Sequence, residues 1–259
     1  MKVREVAVRM EERIPRAWSE DWDNVGLLLG DPDAEVTKIA VSLDATEDTV
    51  REAASRGCGM LLVHHPAIFR PLKRLVHPSP VARMVEASVR HGVSVYSAHT
   101  NWDSSPEGVN VVLSRLLGLA NITPILPPHD GAWGMGAIGD LPAGMCLRSF
   151  AEAAKGAWGL SSLMIYGDET TPFSRVALCG GAGGDLLHAV LEMGADVFVT
   201  ADVSYHYLLD AQLMKTRLVV VNHGEMERAS LPDLCEAIRE ATGLETVLLD
   251  HRNWRPVVV

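Results

Sequence analysis

The chain has 259 residues, 47% of them hydrophobic and 22% charged, which suits a soluble globular protein with one large core or two smaller ones. Its net charge of −10 argues against general affinity for phosphate backbones, so no long nucleic acid is expected as a partner. No apolar run approaches the ~20 residues that cross a bilayer, and no membrane partner is expected.

The opening MKVREVAVRMEERIP is charged throughout, lacks the apolar stretch of a secretory signal, and reads as an amphipathic helix. Strand Lys38–Ser42, helix Thr46–Arg56, strand Met60–His64, helix Val81–His91, strand Val93–Ser97 and helix Pro106–Leu117 then alternate. Ser105, Pro106 and Glu107 read as an N-cap, an N1 proline and a first-turn acid. Beyond the Pro-rich stretch Pro124–Asp130 the order resumes: strand Arg175–Cys179, helix Asp185–Met193, strand Val197–Thr200, helix Tyr205–Met214, strand Arg217–Asn222. Helix Leu231–Ala241, with Ser230, Pro232 and Asp233 as a looser start signal, and strand Thr246–Leu249 complete it. This alternation predicts an α/β fold with mostly parallel sheets covered by helices.

The sequence also compares with itself. Lys38-Ile-Ala-Val-Ser aligns with Arg175-Val-Ala-Leu-Cys, and without a gap Asp48 falls on Asp185, Gly57 on Gly194, and Met60–Val63 on Val197–Thr200. Val93–Ser97 leads to His99-x-x-x-Asp103, and Leu218–Val221 leads to His223-x-x-x-Glu227. Two related halves are inferred, 1–126 and 127–259, which can interleave. Cys58, Cys146, Cys179 and Cys235 stand singly in apolar surroundings with no C-x-x-C pair. They read as buried thiols of a reducing compartment, and the cytoplasm is the expected location.

In an open parallel sheet, ligands bind beyond the carboxyl ends of the strands. Three predicted strands end in metal-competent residues: His64-His65, His99 to Asp103, and His223 to Glu227. Imidazole nitrogen and carboxylate oxygen suit Zn, Fe, Mn, Ni or Co without choosing among them. The inventory exceeds one tetrahedral ion and suggests two, sharing Asp103 or Glu227. Adjacent histidines on a strand point to opposite faces, so His64 and His65 can converge only if the strand stops before them. Asp44, His99, Asp202 and His206 are candidates for proton transfer or for supporting contacts, with turn and capping roles as the alternative. Trp22-Asp23-Asn24-Val25-Gly26 is a polar turn that could position a loop. Gly180-Gly181-Ala182-Gly183-Gly184 lacks the spacing of a Walker loop and reads as a tight turn. Arg70, Lys73 and Arg74, beside the histidine pair, could meet a phosphate or form a solvated basic face. His77, His91, His129, His188 and His251 show no constellation.

Five segments together resemble the dinuclear-metal-centre hexameric family, NGG-interacting-factor-like proteins often labelled GTP cyclohydrolase I type 2 homologs. They are Trp22–Gly26, Leu61–Pro66, Ser97–Asp103, Thr200–His206 and Asn222–Glu227, in the family's order across nearly the whole chain. The compact length resembles members without an inserted middle domain. The resemblance implies a homohexamer with two divalent metal ions per chain, and carries the family's ligands onto His64, His65, Asp103, His223 and Glu227. His99 lies in the same motif block as a weaker ligand candidate. A metal-dependent hydrolase acting on a small molecule or nucleotide is the leading expectation, with GTP ring opening as the reaction the label suggests. The alternatives are a non-catalytic metal-handling or regulatory protein and a nucleotide phosphoesterase.

Overall fold

A computed structural model describes residues 1–127 and 132–251, so His129 and the end of the Pro124–Asp130 stretch lie outside the described residues. In chain order the elements are α1 (Val3–Arg13), β1 (Gly26–Leu29), β2 (Lys38–Ser42), α2 (Glu47–Ser55), β3 (Met60–Val63), α3 (Pro80–His91), β4 (Ser94–Ser97) and α4 (Thr100–Asp103). There follow α5 (Val109–Leu116), β5 (Ala120–Thr123), β6 (Ala137–Met145), α6 (Leu147–Trp158), β7 (Leu163–Tyr166), β8 (Phe173–Ala182) and α7 (Leu187–Glu192). The last are β9 (Val197–Ala201), α8 (Tyr205–Leu213), β10 (Arg217–Val221), α9 (His223–Arg228), α10 (Leu231–Thr242) and β11 (Glu245–Leu248). No helix among the described residues is long and apolar enough to cross a membrane.

The chain forms two compact units, one of Met1–Trp102 with the described residues from Leu231 onward, the other of Asp103–Ser230. The division expected near residue 126 falls inside the second unit, between β5 and β6, and the last helix and strand return to the first. Backbone pairing explains the return, because β11 lies parallel to β2 from Glu245 opposite Lys38 to Leu248 opposite Val41.

The first unit's sheet runs β1-β4-β3-β2-β11 and is parallel except for β1, which is antiparallel to β4. Its interior strands are apolar on both faces, as helices on both sides require. Leu61, Val63, Ala40 and Val95 pack with Val50 and Ala53 of α2 and Met84 and Ala87 of α3. The alternate residues Ile39, Val41, Met60 and Leu62 are equally buried, on the side served by α1 and α10. Each such side chain contributes about 1.5–3 kcal/mol of burial. Helix α3 starts on Ser79, whose hydroxyl accepts from the Ala82 N–H at 3.2 Å, with Pro80 at its first position, and ends on the left-handed Gly92.

The second unit's sheet runs β5-β6-β8-β9-β10-β7, with β8, β9 and β10 parallel and the three outer pairings antiparallel. Ala177, Phe198 and Leu218 of the parallel centre pack with Leu187 and Val190 of α7 and Ala211 of α8. Val109 of α5 presses on Gly180, where an added Cβ would come within 2.4 Å of its side chain. The helix expected from Pro106 begins at Val109 instead. There the Ser105 hydroxyl accepts from the Glu107 N–H at 3.3 Å, the Gly108 N–H bonds the Ser105 carbonyl at 3.0 Å, and the resulting turn leaves Gly108 as the cap.

The internal duplication has a structural counterpart. In the first unit Ile39 pairs with Met60, and in the second Val176 pairs with Val197, the same offset that aligns Lys38 with Arg175. Gly57 and Gly194 occupy left-handed conformations at φ 74° and 72°, each leading from a helix toward the next strand. The His-x-x-x-acid motifs do not superpose in this frame. Val63 pairs with Ser97 and Thr200 with Val220, so His99 corresponds to Asn222 and His223 lies one residue further on.

Candidate metal centre

In the first sheet Ser42, Val63 and Ser97 lie side by side at the carboxyl ends of β2, β3 and β4. The residues just beyond them, Asp44, His64, His65 and His99, therefore emerge along one edge. Because β3 stops at Val63, the two adjacent histidines converge, with ring centroids 5.2 Å apart. Ligand-competent atoms of His64, His65 and His99 all lie within 4.8 Å of one another. Two nitrogens about 2.1 Å from a shared ion are at most about 4.2 Å apart, so small side-chain adjustments suffice for coordination.

Each of these imidazoles is oriented through Nδ1. His64 Nδ1 donates to the Ala98 carbonyl at 2.9 Å, His65 Nδ1 to Asp44 Oδ1 at 2.7 Å, and His99 Nδ1 to both oxygens of Asp23 at 2.9 Å. A proton held on Nδ1 by an oxygen acceptor puts the lone pair on Nε2, the tautomer a metal requires. The Asp23 side chain is fully buried and also accepts from the Thr100 N–H at 3.0 Å and the Thr100 hydroxyl at 2.5 Å. Burial alone would raise this carboxyl, but the His99 and Thr100 hydrogen bonds outweigh it and hold Asp23 at about 2. Asp23 supports His99 from within the Trp22–Gly26 turn, where the sequence suggested only a loop-positioning role.

In the second sheet the carboxyl end of β10 leads into α9, which opens at His223 behind the cap Asn222, whose side chain accepts from the Glu225 N–H at 3.0 Å. The helix turn brings His223 Nε2 to 3.1 Å from Glu227 Oε2. His223 Nδ1 donates to Asp202 Oδ2 at 2.7 Å, and Asp202, just past β9, has a left-handed backbone at φ 51°. Burial pushes the Cys179 thiol of β8 well above its usual range, and the carboxylates of Asp103, Asp185 and Glu227 push the same way. The donor set of each unit fits a borderline divalent cation, and the histidine and carboxylate clusters could hold a metal ion.

Gly180 N–H bonds Asn110 Oδ1 and Gly183 N–H bonds the Thr200 hydroxyl, both at 2.9 Å, so these amides are already used. Gly181, left-handed at φ 70°, makes room for the site: a Cβ there would sit 2.5 Å from Glu227 Oε1 and 3.3 Å from the His223 ring. Among the other candidates, Asp44, Asp202 and His99 contact the histidine clusters as described. His206 is exposed on α8, its ring 6.0 Å from Tyr205, and belongs to none of the clusters among the described residues. Cys58 and Cys179 are buried as expected, whereas Cys146, which caps α6, and Cys235 are only partly buried; all four are free thiols.

A Clostridium perfringens protein named GTP cyclohydrolase 1 type 2 homolog is 30% identical over 241 residues, covering 93% of this chain and 92% of its own. NIF3-like protein 1 of Drosophila melanogaster is 30% identical over 252 residues, covering 95% of this chain and 85% of its own. Among solved structures, a Bacillus cereus protein related to NIF3 shares the fold at a TM-score of 0.94 and 21% identity, over 100% of this chain and 99% of that one. A Staphylococcus aureus hypothetical protein gives 0.91 at 26% identity, over 99% of each chain. With its residues 1–253 matching the family throughout, the chain belongs to the Duf34/NIF3 (NGG1p interacting factor 3) family.

Proposed function

We propose that the chain is a metal-dependent hydrolase whose two divalent ions are held by His64, His65, Asp103, His223 and Glu227. The observation that carries this reading is the fixed tautomer of the histidines: Asp44 on His65 and Asp202 on His223, each at 2.7 Å, with the Ala98 carbonyl on His64 at 2.9 Å. Such partners orient imidazole for metal. Bound ions would supply activation of water and charge neutralisation at an electrophilic carbon or phosphorus. Asp103 and Glu227 contribute carboxylates able to bridge, and Asp23 keeps His99 oriented toward His64 and His65.

The relatives' name makes GTP the first substrate to test, with opening of the guanine imidazole ring and release of formate as the readout. Protein purified without chelator or His-tag should carry about two ions per chain, and should lose them on His64→Ala, Asp103→Ala or Glu227→Ala. Substoichiometric metal that is indifferent to these substitutions sinks the metal reading. Full metal content without turnover of GTP or of phosphoesters, under varied metals, favours a non-catalytic metal-handling protein instead. Assembly as a homohexamer, checked by light scattering, and a cytoplasmic setting that keeps the four thiols reduced are part of the same proposal.

A further inference from the structure

Beside the first unit's histidine cluster stands a surface that metal binding does not explain. Trp22 is 60% exposed and Phe69 43% exposed, an unusual display for large aromatic side chains. Their ring centroids lie 5.8 Å apart edge to face, and those of Trp22 and Phe69 lie 6.3 and 6.2 Å from His99. The arrangement is held from beneath. Asn24 Nδ2 donates to the Ile68 carbonyl at 2.6 Å, tying the Trp22 turn to the loop that carries Phe69, while Asp23 next to Trp22 anchors His99 and Thr100. The same loop continues into Arg70, Lys73 and Arg74, all exposed, with no ion pair to any of the three among the described residues. In a chain of net charge −10, where most exposed arginines pair with acids, three unneutralised cations beside exposed aromatic rings call for an anionic partner.

We infer that Trp22 and Phe69 form a stacking platform for a flat heteroaromatic ring, and that Arg70, Lys73 and Arg74 receive a phosphate carried by the same ligand. Aromatic faces accept any flat ring, and guanidinium and ammonium groups bind phosphate oxygens. The chemical class is a phosphorylated heterocycle, presented to the His64–His65–His99 edge. In making that ligand the substrate, the inference rests on the hydrolase reading; the binding surface itself does not.

The test is calorimetric titration of the full-length, metal-analysed protein with adenosine monophosphate, adenosine and ribose 5-phosphate. Adenosine monophosphate should bind about tenfold or more tightly than either fragment. Trp22→Ala and Phe69→Ala should each weaken it about tenfold and leave ribose 5-phosphate unchanged. The triple variant Arg70→Ala/Lys73→Ala/Arg74→Ala should weaken both phosphate ligands and flatten the salt dependence. These side chains are exposed, so metal content should stay at the wild-type level. Equal binding of ribose 5-phosphate, no binding of adenosine monophosphate, or indifference to the aromatic substitutions overturns the platform, even with the metal site intact. Conversely, tight and Trp22-dependent binding by a protein that holds no metal supports the platform while removing the hydrolase reading.

Discussion

At the carboxyl edge of the first sheet, Asp44 past β2 orients His65 past β3; in the second, Asp202 past β9 orients His223 past β10, with the same 2.7 Å hydrogen bond. The strand pairs doing this are not equivalent in the duplicated frame. Asp44 corresponds to Gly181, whose missing side chain admits Glu227, and His223 sits one residue beyond the counterpart of His99. A repeated backbone thus supplied the same kind of edge twice, and the Asp–His device was built at different positions on each. What is shared is the physics of parallel strands ending in register, which gathers loop residues from neighbouring strands.

The largest expected effects lie in the two cores. Phe198→Ala in the second unit should cost about 3–5 kcal/mol and Leu61→Ala in the first about 2–5 kcal/mol, since both side chains are fully buried. Denaturant unfolding followed by two probes reports whether each loss destabilises its own unit or the whole chain; a Phe198→Ala cost below about 1 kcal/mol would contradict the packing. Next comes Gly181→Ala, which places a Cβ 2.5 Å from Glu227 Oε1 on a left-handed backbone. It should cost about 1–3 kcal/mol and weaken metal retention, whereas Asp44→Ala at the corresponding position of the first unit should leave folding nearly unchanged.

Asp23 sharpens the contrast through pH. Its folded-state value, about 2 against an ordinary 3.8, is depressed, so its contribution is complete above about pH 4 and is lost as pH falls toward 2. The difference corresponds to about 2 kcal/mol, undiscounted because the side chain is fully buried. Asp23→Asn should lower stability at pH 7 and flatten the acid limb between about pH 4 and pH 2 relative to the wild type. An unchanged limb would mean that other carboxylates govern acid unfolding. The smallest effect belongs to the exposed orienting acids: Asp44→Asn and Asp202→Asn should each weaken metal binding about tenfold, and a competition titration should show different ions affected in the two variants.

The parallel strands were legible because burial on both faces writes them as short apolar runs, Met60–Val63, Val197–Val199 and Leu218–Val221 among them. The antiparallel strands were not. β5 is mostly exposed, β7 alternates between exposed and half-buried positions, and β6 contains Gly139, Pro142 and Gly144, a composition that reads as loop. The short β1 appeared only as three leucines after a turn. Helix α6 also escaped notice, while α5 began later than its Ser-Pro signal because the serine closed a turn instead.

The same division holds at the site. Sequence alone determined the donor chemistry: histidines and acids beyond apolar strands, in an order that resembles one family from end to end. Tertiary structure decided which donors meet and in what state, because these depend on strand register and on contacts far apart in the chain. Asp23 reaches across 76 positions to His99, and Asp44 reaches 21 to His65. Asp44 stood out as a candidate for a supporting contact because it follows a strand, but no local pattern names its partner, announces Asp23 as a support for His99, or shows that Gly181 is small because Glu227 needs the space. Candidate donors at three strand ends were read from residue type and position, and the family resemblance carried the ligand role onto His64, His65, Asp103, His223 and Glu227. Their tautomers, their supporting acids and the aromatic platform beside them exist only once the sheet edges are assembled.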